Sequence, residues 1–413
     1  MSVDYASATM STTAAPAEVD AYARKALVAS TLGYAMDGFD LLILGFILGP
    51  LAAGLHLSRP QAGSLVTWTL VGAVIGGLTA GALSDRYGRV RVLSWTILVF
   101  AGFTALCALA QGYWDLLVYR TIAGIGLGGE FGVGMALAAE AWPASKRARA
   151  TSYVGLGWQA GVLAAAFLTP LLLPYIGWRG MFVVGVIPAL LAFGIRRFVG
   201  EPALFLDAQK KQPINPYSVL FADREATAAS IGIAIMTSVQ NFGYYATMIW
   251  LPSYLSTRLG FSLTQSSLWI SATVLGGAVG MLIFGFMADR VGRKPLFVAF
   301  QIGAAIMALV FPNVTQPNLL LLVAGISGIF LSGMIGGYGA LIAESYPTQG
   351  RSTAQNVLFN FGRGVGGFGP LVIGLLATQY SLATALSFLV VIWIVDVFAT
   401  VFLIKERKGE PLR

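Results

Sequence analysis

The feature that most narrows what this chain can fold into is its division into long apolar runs separated by short charged turns. A bilayer core takes about 20 apolar residues per helix. Twelve such runs are present, near 26–52, 62–84, 92–111, 116–140, 150–174 and 180–198, then 226–252, 264–287, 295–311, 318–345, 352–378 and 383–404. In lipid each backbone N–H and C=O must be satisfied within the protein, so runs of this length read as helices. The composition agrees, with 57% hydrophobic residues, 11% charged residues and a mean hydropathy of +0.76 over 413 residues, far too apolar for a soluble domain. The expected fold class is an all-α polytopic membrane protein of twelve transmembrane helices.

The turn after the second run reads Gly81-Ala-Leu-Ser-Asp85-Arg86-Tyr-Gly88-Arg89-Val-Arg91, and it recurs 204 positions later as Gly285-Phe-Met-Ala-Asp289-Arg290-Val-Gly292-Arg293-Lys294. The same offset carries Gly72 to Gly276, Gly76 to Gly280, Glu140 to Glu344, Pro143 to Pro347 and Arg147 to Arg351. One chain holds two copies of one unit, and repeated hydrophobic halves rocking about a shared midplane site are the architecture of transporters. The longest polar gap separates the copies. The expected organisation is a six-helix bundle at 23–198, a cytoplasmic linker at 199–225 and a second bundle at 226–404, with tails at 1–22 and 405–413. Residues 1–22 lack the basic start and apolar core of a cleaved signal peptide and read as a disordered cytoplasmic tail.

All but five of the 26 Lys and Arg residues fall on one side of the membrane if both termini are cytoplasmic, the orientation that retained positive charge favours. Arg59, Arg179 and Arg258 would be external, and Arg120 and Arg363 lie within the membrane, taken to be the cell (inner) membrane. The net charge of +8 therefore belongs to short loops and makes no patch for nucleic acid. Cys107 stands alone, which excludes an internal disulfide and a cysteine-rich metal site. The sequence shows no nucleophile triad, metal cluster or phosphate loop, since the glycine-rich run near Gly124 lies in a membrane helix and follows no strand. An enzyme is not expected. His56 reads as a solvated residue of the first external loop.

Gly-x-x-x-Asp-Arg-x-Gly-Arg at two equivalent turns of a six-plus-six chain resembles the signature loop of the major facilitator superfamily, over residues 24–408. The resemblance implies two pseudo-symmetric six-helix bundles. It also implies that Asp85, Arg86, Arg89, Asp289, Arg290 and Arg293 clamp the cytoplasmic helix ends in one access state, with Glu140, Arg147, Glu344 and Arg351 completing the clamp. A topology-setting basic loop would explain the arginines but not the repeated aspartates and glycines.

Charges near mid-bilayer cost on the order of 3 kcal/mol or more each by insertion scales, so they are functional candidates by default. Asp37 and Asp40, three apart and on one helical face, are candidate proton-coupling residues, because two close carboxylates resist joint ionisation. A structural bridge for one of them is the alternative. Glu130 is a further proton candidate. Arg120 is a candidate substrate residue, or the partner of a first-helix aspartate that proton uptake releases; a structural salt bridge competes. Arg363, on a glycine-rich helix with no acid of its own, suits a carboxylate through two parallel hydrogen bonds and is assigned as the substrate-anion clamp. Asp396 is assigned a structural role, since the twelfth helix lies peripheral in that superfamily. Trp158, Gln159, Gln240, Asn241, Tyr244, Tyr245, Tyr338, Asn356 and Asn360 are candidate cavity residues, each with interhelical packing as the alternative. Trp250 and Tyr254 read as membrane-interface residues.

Asp37-Gly-Phe-Asp40, Gly128-Gly-Glu130-Phe131, Glu140-Ala-Trp-Pro143 and Gly177-Trp-Arg179 together resemble the sialate:proton and metabolite:proton symporters. Asp-Gly-x-Asp and the run around Arg363 are also similar to the aromatic acid:proton symporters. The resemblance implies a symporter importing a small organic carboxylate by alternating access, with the proton as coupling ion and no cofactor, working as a monomer in the lipid bilayer. The nearest alternative is an aromatic-acid:proton symporter specifically. After it come a sugar or nicotinate-type facilitator, a drug:proton antiporter and a non-transporting solute sensor. The fifth helix lacks the Gly-Pro pair of drug exporters, and neither the linker nor the tail after Lys405 has room for a sensor's output domain.

Overall fold

The computed structural model describes residues 19–210, 215–260, 263–410 and 412. Residues 1–18 of the expected tail and 211–214 of the expected linker lie outside the described residues. The first half contains α1 (Ala21–Gly54), α2 (Arg59–Tyr87), α3 (Arg89–Cys107), α4 (Tyr113–Gly128), α5 (Glu130–Ala141) and α6 (Arg147–Arg196). A short α7 (Ala203–Ala208) lies in the connection. The second half contains α8 (Arg224–Leu259), α9 (Leu263–Val291), α10 (Arg293–Val310), α11 (Pro317–Gly333), α12 (Ile335–Ser345), α13 (Arg351–Gly366), α14 (Gly369–Gln379), α15 (Leu382–Ser387) and α16 (Leu389–Leu403). Among the described residues there is no strand.

Among the described residues, ten segments are long and apolar enough to cross a membrane, including the 44-residue Ala144–Ile187. Gly177, at φ 63° and ψ 179°, breaks α6 inside that segment. The chain therefore crosses there twice, and the 36-residue α8 supplies the remaining crossing. Four of the runs that read as continuous in the sequence are interrupted. The fourth crossing is α4 plus α5 and the tenth α11 plus α12, broken at Gly129 and Met334, within one residue of equivalent places; the eleventh is α13 plus α14 and the twelfth α15 plus α16.

Helix packing follows the glycines. A Cβ at Gly72 or Gly76 would stand 2.1 or 2.0 Å from the carbonyl oxygens of Thr121 and Ile125, so α2 and α4 approach to backbone contact. The two halves meet where α2 packs on α13 and α6 on α9, positions that the repeat relates to each other. Gly88 (φ 113°) and Gly292 (φ 117°) turn the chain from α2 into α3 and from α9 into α10, with backbone angles that a side chain disfavours. Each following helix is capped from a distance. Glu201 accepts from the backbone N–H groups of Arg89 (2.7 Å), Val90 (3.2 Å) and Arg91 (3.0 Å), and Glu406 from that of Lys294 (2.8 Å), because carboxylates satisfy the orphan donors of a helix start.

The expectation for Tyr254 needs correction. Its side chain is buried and its hydroxyl donates to the Pro312 carbonyl at 2.8 Å, so it belongs to the core and not to an interfacial belt. His56 is exposed and Cys107 is a buried free thiol, as read from the sequence.

Candidate functional site

The Asp-Arg turns gather at one end of the molecule, here the charged end, in two matching networks. Asp85, at the end of α2, reaches the start of α13 in the other half and accepts from the backbone N–H groups of Ser352 (3.3 Å) and Thr353 (2.8 Å) and from the Thr353 hydroxyl (2.7 Å). Asp289, at the end of α9, does the same at the start of α6, accepting from Ala148 (3.1 Å) and Arg149 (3.2 Å). Each aspartate also pairs with the arginine four residues on, Asp85 with Arg89 at 3.0 Å and Asp289 with Arg293 at 3.4 Å. A glutamate then joins two arginines from opposite halves. Glu140 Oε1 lies 3.0 Å from Arg89 and 2.8 Å from Arg351, and Glu344 Oε1 lies 2.8 Å from Arg293 and 2.9 Å from Arg147. These side chains are at most 3% exposed, so water does not screen the pairs. Beside them, burial pushes the Tyr346 hydroxyl above its ordinary value; it pairs with Ser230 Oγ at 2.6 Å.

Arg86 and Arg290, expected in the same clamp, are exposed and enter no ion pair among the described residues. One residue past the aspartate turns a side chain about 100° around the helix, away from the opposing half. Arg86 instead lies over the Tyr87 ring at 5.3 Å. Arg149 was not singled out in the sequence, yet its guanidinium pairs with Asp289 at 3.0 Å. The signal was available in the 204-residue offset, which relates Arg149 to Thr353, the residue that bonds Asp85.

Within the membrane region, Asp40 and Arg120 form a two-pronged ion pair at 3.0 and 2.6 Å, and Arg120 Nε donates to Thr69 Oγ1 at 3.2 Å. The expected pairing of Arg120 with a first-helix aspartate is present, and it takes Arg120 out of the candidate cavity. Asp37 does not share this site. It is buried on the same helix, one turn after Tyr34. With Asp40 neutralised by Arg120, the pair is not the mutually repelling dyad that its spacing suggests. Glu130 is buried at the start of α5, where it accepts from the Thr96 hydroxyl at 2.7 Å.

Arg363 lines a pocket where the two halves meet. Tyr34 of α1 and Trp158 of α6 come from the first half; Gln240, Asn241, Tyr244 and Tyr245 of α8, Ile335 of α12, and Phe359 and Arg363 of α13 come from the second. The guanidinium lies 5.5 Å from the centre of the Trp158 ring, and Arg363 Nε donates to the Tyr245 hydroxyl at 3.4 Å. Arg363 forms no ion pair among the described residues. Tyr34 packs on Trp158 at 5.5 Å and on Phe131 at 5.1 Å, and Phe131 stacks on Phe359 across the halves at 3.5 Å. The enclosed volume is about 20 Å³, room for one water, so the rings must part to admit a solute.

Of the eleven candidates, Arg120 and Arg363 with the nine cavity residues, Arg363, Trp158, Gln240, Asn241, Tyr244 and Tyr245 line this pocket. The others do not. Tyr338 is wholly buried and donates to the Met236 carbonyl at 3.0 Å. Asn356 and Asn360 face α2 and α5, where their side chains would clash with a Cβ at Gly77 or Gly132. Gln159 faces Gly277 of α9. These three amides sit in the seam between the halves, each with a side-chain oxygen that no described donor reaches. Sequence reasoning missed Tyr34, Ile335 and Phe359 as lining residues. Tyr34 lay one turn before Asp37 and was legible from that spacing; Ile335 and Phe359 looked like any other apolar helix residue.

The family model of the Major Facilitator Superfamily matches residues 30–267 and again 233–413, one match for each half. The chain belongs to the major facilitator superfamily. It is a transporter and not an enzyme. A "putative metabolite transport protein" of Haemophilus influenzae is 59% identical over 403 residues, covering 96% of this chain and 99% of the relative. A probable 4-methylmuconolactone transporter of Cupriavidus pinatubonensis is 33% identical, covering 94% of this facilitator and 91% of the relative. A cis,cis-muconate transport protein of Acinetobacter baylyi is also 33% identical, with coverages of 92% and 94%. Among solved structures, the proton:xylose symporter XylE bound to 6-bromo-6-deoxy-D-glucose superposes with a TM-score of 0.80 at 20% identity, covering 96% of this chain and 98% of XylE. The shared fold is that of the superfamily.

Proposed function

We propose that this facilitator is a proton-coupled symporter that imports a small, planar organic carboxylate. The observation that carries the reading is Arg363, a buried guanidinium at the junction of the two halves, held against an indole face among tyrosines and in no ion pair among the described residues. A guanidinium offers a carboxylate two parallel hydrogen bonds, and the surrounding rings favour a flat, unsaturated body. The relatives named for 4-methylmuconolactone and cis,cis-muconate support that class, and an aromatic acid fits the same pocket. Gln240 Oε1, buried without a described donor, adds an acceptor for a hydroxyl on the solute.

In this reading the substrate anion occupies Arg363, and Asp37, buried on α1 one turn from the pocket residue Tyr34, takes up the proton. Binding of each then favours the other, as linkage requires. The Asp40–Arg120 pair and Glu130 remain candidate relay groups in the first half. The networks at the charged end hold the halves together there, and opening them delivers solute and proton. The charged end is the cytoplasmic one by the distribution of basic residues, which puts both termini in the cytoplasm of a cell whose inner membrane houses the protein. It works as a monomer, and the proton is its only coupling ion.

The test is uptake into proteoliposomes under an inward proton gradient, with cis,cis-muconate, 4-hydroxybenzoate, lactate, sialic acid and neutral xylose as probes and internal pH recorded. Proton influx triggered by a planar carboxylate and not by xylose is expected. Two charge-assisted hydrogen bonds contribute roughly 3 kcal/mol together, so Arg363→Gln should raise KM about 100-fold. Unchanged affinity in that variant would sink the clamp, and carboxylate uptake without proton movement would sink the symport.

A further inference from the structure

Phe131 of α5 and Phe359 of α13 stack across the two halves, with ring centres 3.5 Å apart and planes 17° from parallel, and both are buried. Each ring is backed by a tyrosine of its own half. Tyr34 meets Phe131 edge-on at 5.1 Å, and Tyr338, whose hydroxyl is anchored on the Met236 carbonyl, meets Phe359 at 6.4 Å. Phe359 lines the Arg363 pocket, and Phe131 stands behind it.

Helix geometry places this stack between the pocket and the charged end. Arg351 lies eight residues before Phe359 on α13, about 12 Å along the axis, and Glu140 nine residues after Phe131 on α5, about 13.5 Å. Those two ends are joined by the 2.8 Å Glu140–Arg351 pair. Between pair and stack, Asn356 fills the seam against Gly132, where a Cβ would stand 2.4 Å from its Cγ. The α5–α13 seam is thus closed twice, by charge at the charged end and by rings beneath the pocket. The other seam lacks the rings: the 204-residue offset places Ile335 opposite Phe131 and Gly155 opposite Phe359.

Arg363 is one helical turn beyond Phe359 and on the same face of α13. A carboxylate held by that guanidinium therefore brings its body against Phe359. A solute favours an open state only through contacts it makes better there, and a flat unsaturated face can stack on Phe359 once Phe131 has withdrawn, replacing the contact that the rings lose. We propose that Phe131 and Phe359 are the inner gate of the pocket and its specificity-determining pair, opened by a planar solute that takes the place of Phe131 on Phe359. The gate follows from the cross-half stack; the choice of a planar solute rests on the carboxylate reading above. A saturated acid binds Arg363 as well but gives Phe359 no stacking partner, so it crosses slowly.

Two measurements on the full-length protein in lipid separate these. For the gate, Ile335→Cys in the pocket wall of a Cys107→Ala protein is labelled, without solute, by a membrane-impermeant thiol reagent supplied at the charged end, with Glu140→Gln present so that the ion pair is already open. Labelling is expected to stay slow until Phe131→Ala is added and then to rise about 10-fold, the equivalent of one aromatic contact. Phe359→Ala removes the other ring and serves if the first variant does not fold. Labelling that is fast with both rings present, or that neither alanine speeds, overturns the gate. For the selection, uptake at saturation compares 4-hydroxybenzoate with cyclohexanecarboxylate, an acid of similar size without a flat face. The flat acid should run about 10-fold faster; Phe359→Leu, which keeps the apolar bulk and loses the face, should bring the two rates together, and Phe359→Tyr should restore the difference. A ratio that Phe359→Leu leaves unmoved overturns the selection. Transport of neither acid would overturn it together with the carboxylate reading, and the labelling would still decide the gate.

Discussion

Glu140→Gln should open the charged end of the molecule, and by more than removal of the arginine that Glu140 meets across the halves. Glu140 accepts from Arg89 Nε and Nη2 at 3.2 and 3.0 Å and from Arg351 Nη1 at 2.8 Å. When its charge is removed, Arg89 keeps Asp85 at 3.0 Å. Arg351 loses the Glu140 charge and keeps the carbonyls of Ala343 (3.0 Å) and Tyr346 (3.4 Å) as bonded acceptors. Removing one partner of a buried pair costs about 3–5 kcal/mol, and the lower figure applies because glutamine still accepts a bond. Some 3 kcal/mol against the closed state is on the order of a 100-fold shift towards a state in which Arg351 meets water. In Arg351→Gln the carboxylate retains Arg89, so the shift should be several-fold smaller. The assay is double electron–electron resonance between spin labels at Ser145 and Val291, exposed positions on opposite halves at that end, in a Cys107→Ala background. A long-distance population should rise in Glu140→Gln well above that in Arg351→Gln. Equal populations, or no change in either, would refute the idea that the shared glutamate holds the halves together.

Asp37→Asn should abolish accumulation of a carboxylate against its gradient while leaving counterflow exchange running, and full proton-driven accumulation in that variant would remove Asp37 from the coupling step. Asp40→Asn leaves Arg120 buried without its countercharge, with Thr69 and one amide oxygen as side-chain acceptors, at a cost of about 3 kcal/mol. A clear drop in melting temperature is expected, partly recovered when Arg120→Met is added; a single variant that melts like the parent would show that the pair contributes little.

What the sequence determined was the set of crossings, the repeat and the residues at its turns. Apolar length answers to bilayer thickness, and the 204-residue offset marks equivalent positions without any knowledge of contacts. That is why Asp85, Arg89, Glu140 and their counterparts were legible as one device. The tertiary structure decided who meets whom. Asp37 and Asp40 share a helical face, yet about 60° of rotation around the helix axis and different neighbours give Asp40 a bond to Arg120 and leave Asp37 outside it, one turn from the pocket residue Tyr34. Asp85 caps a helix 267 residues away in the chain, a partner that no local spacing reveals. Tyr338, Asn356 and Asn360 lie on the expected helices but face the seam or the core, because helical periodicity fixes which residues share a face and only packing of the two halves fixes what that face sees. Phe359 entered the pocket wall by the same rule, as an apolar residue turned towards Phe131 of the other half.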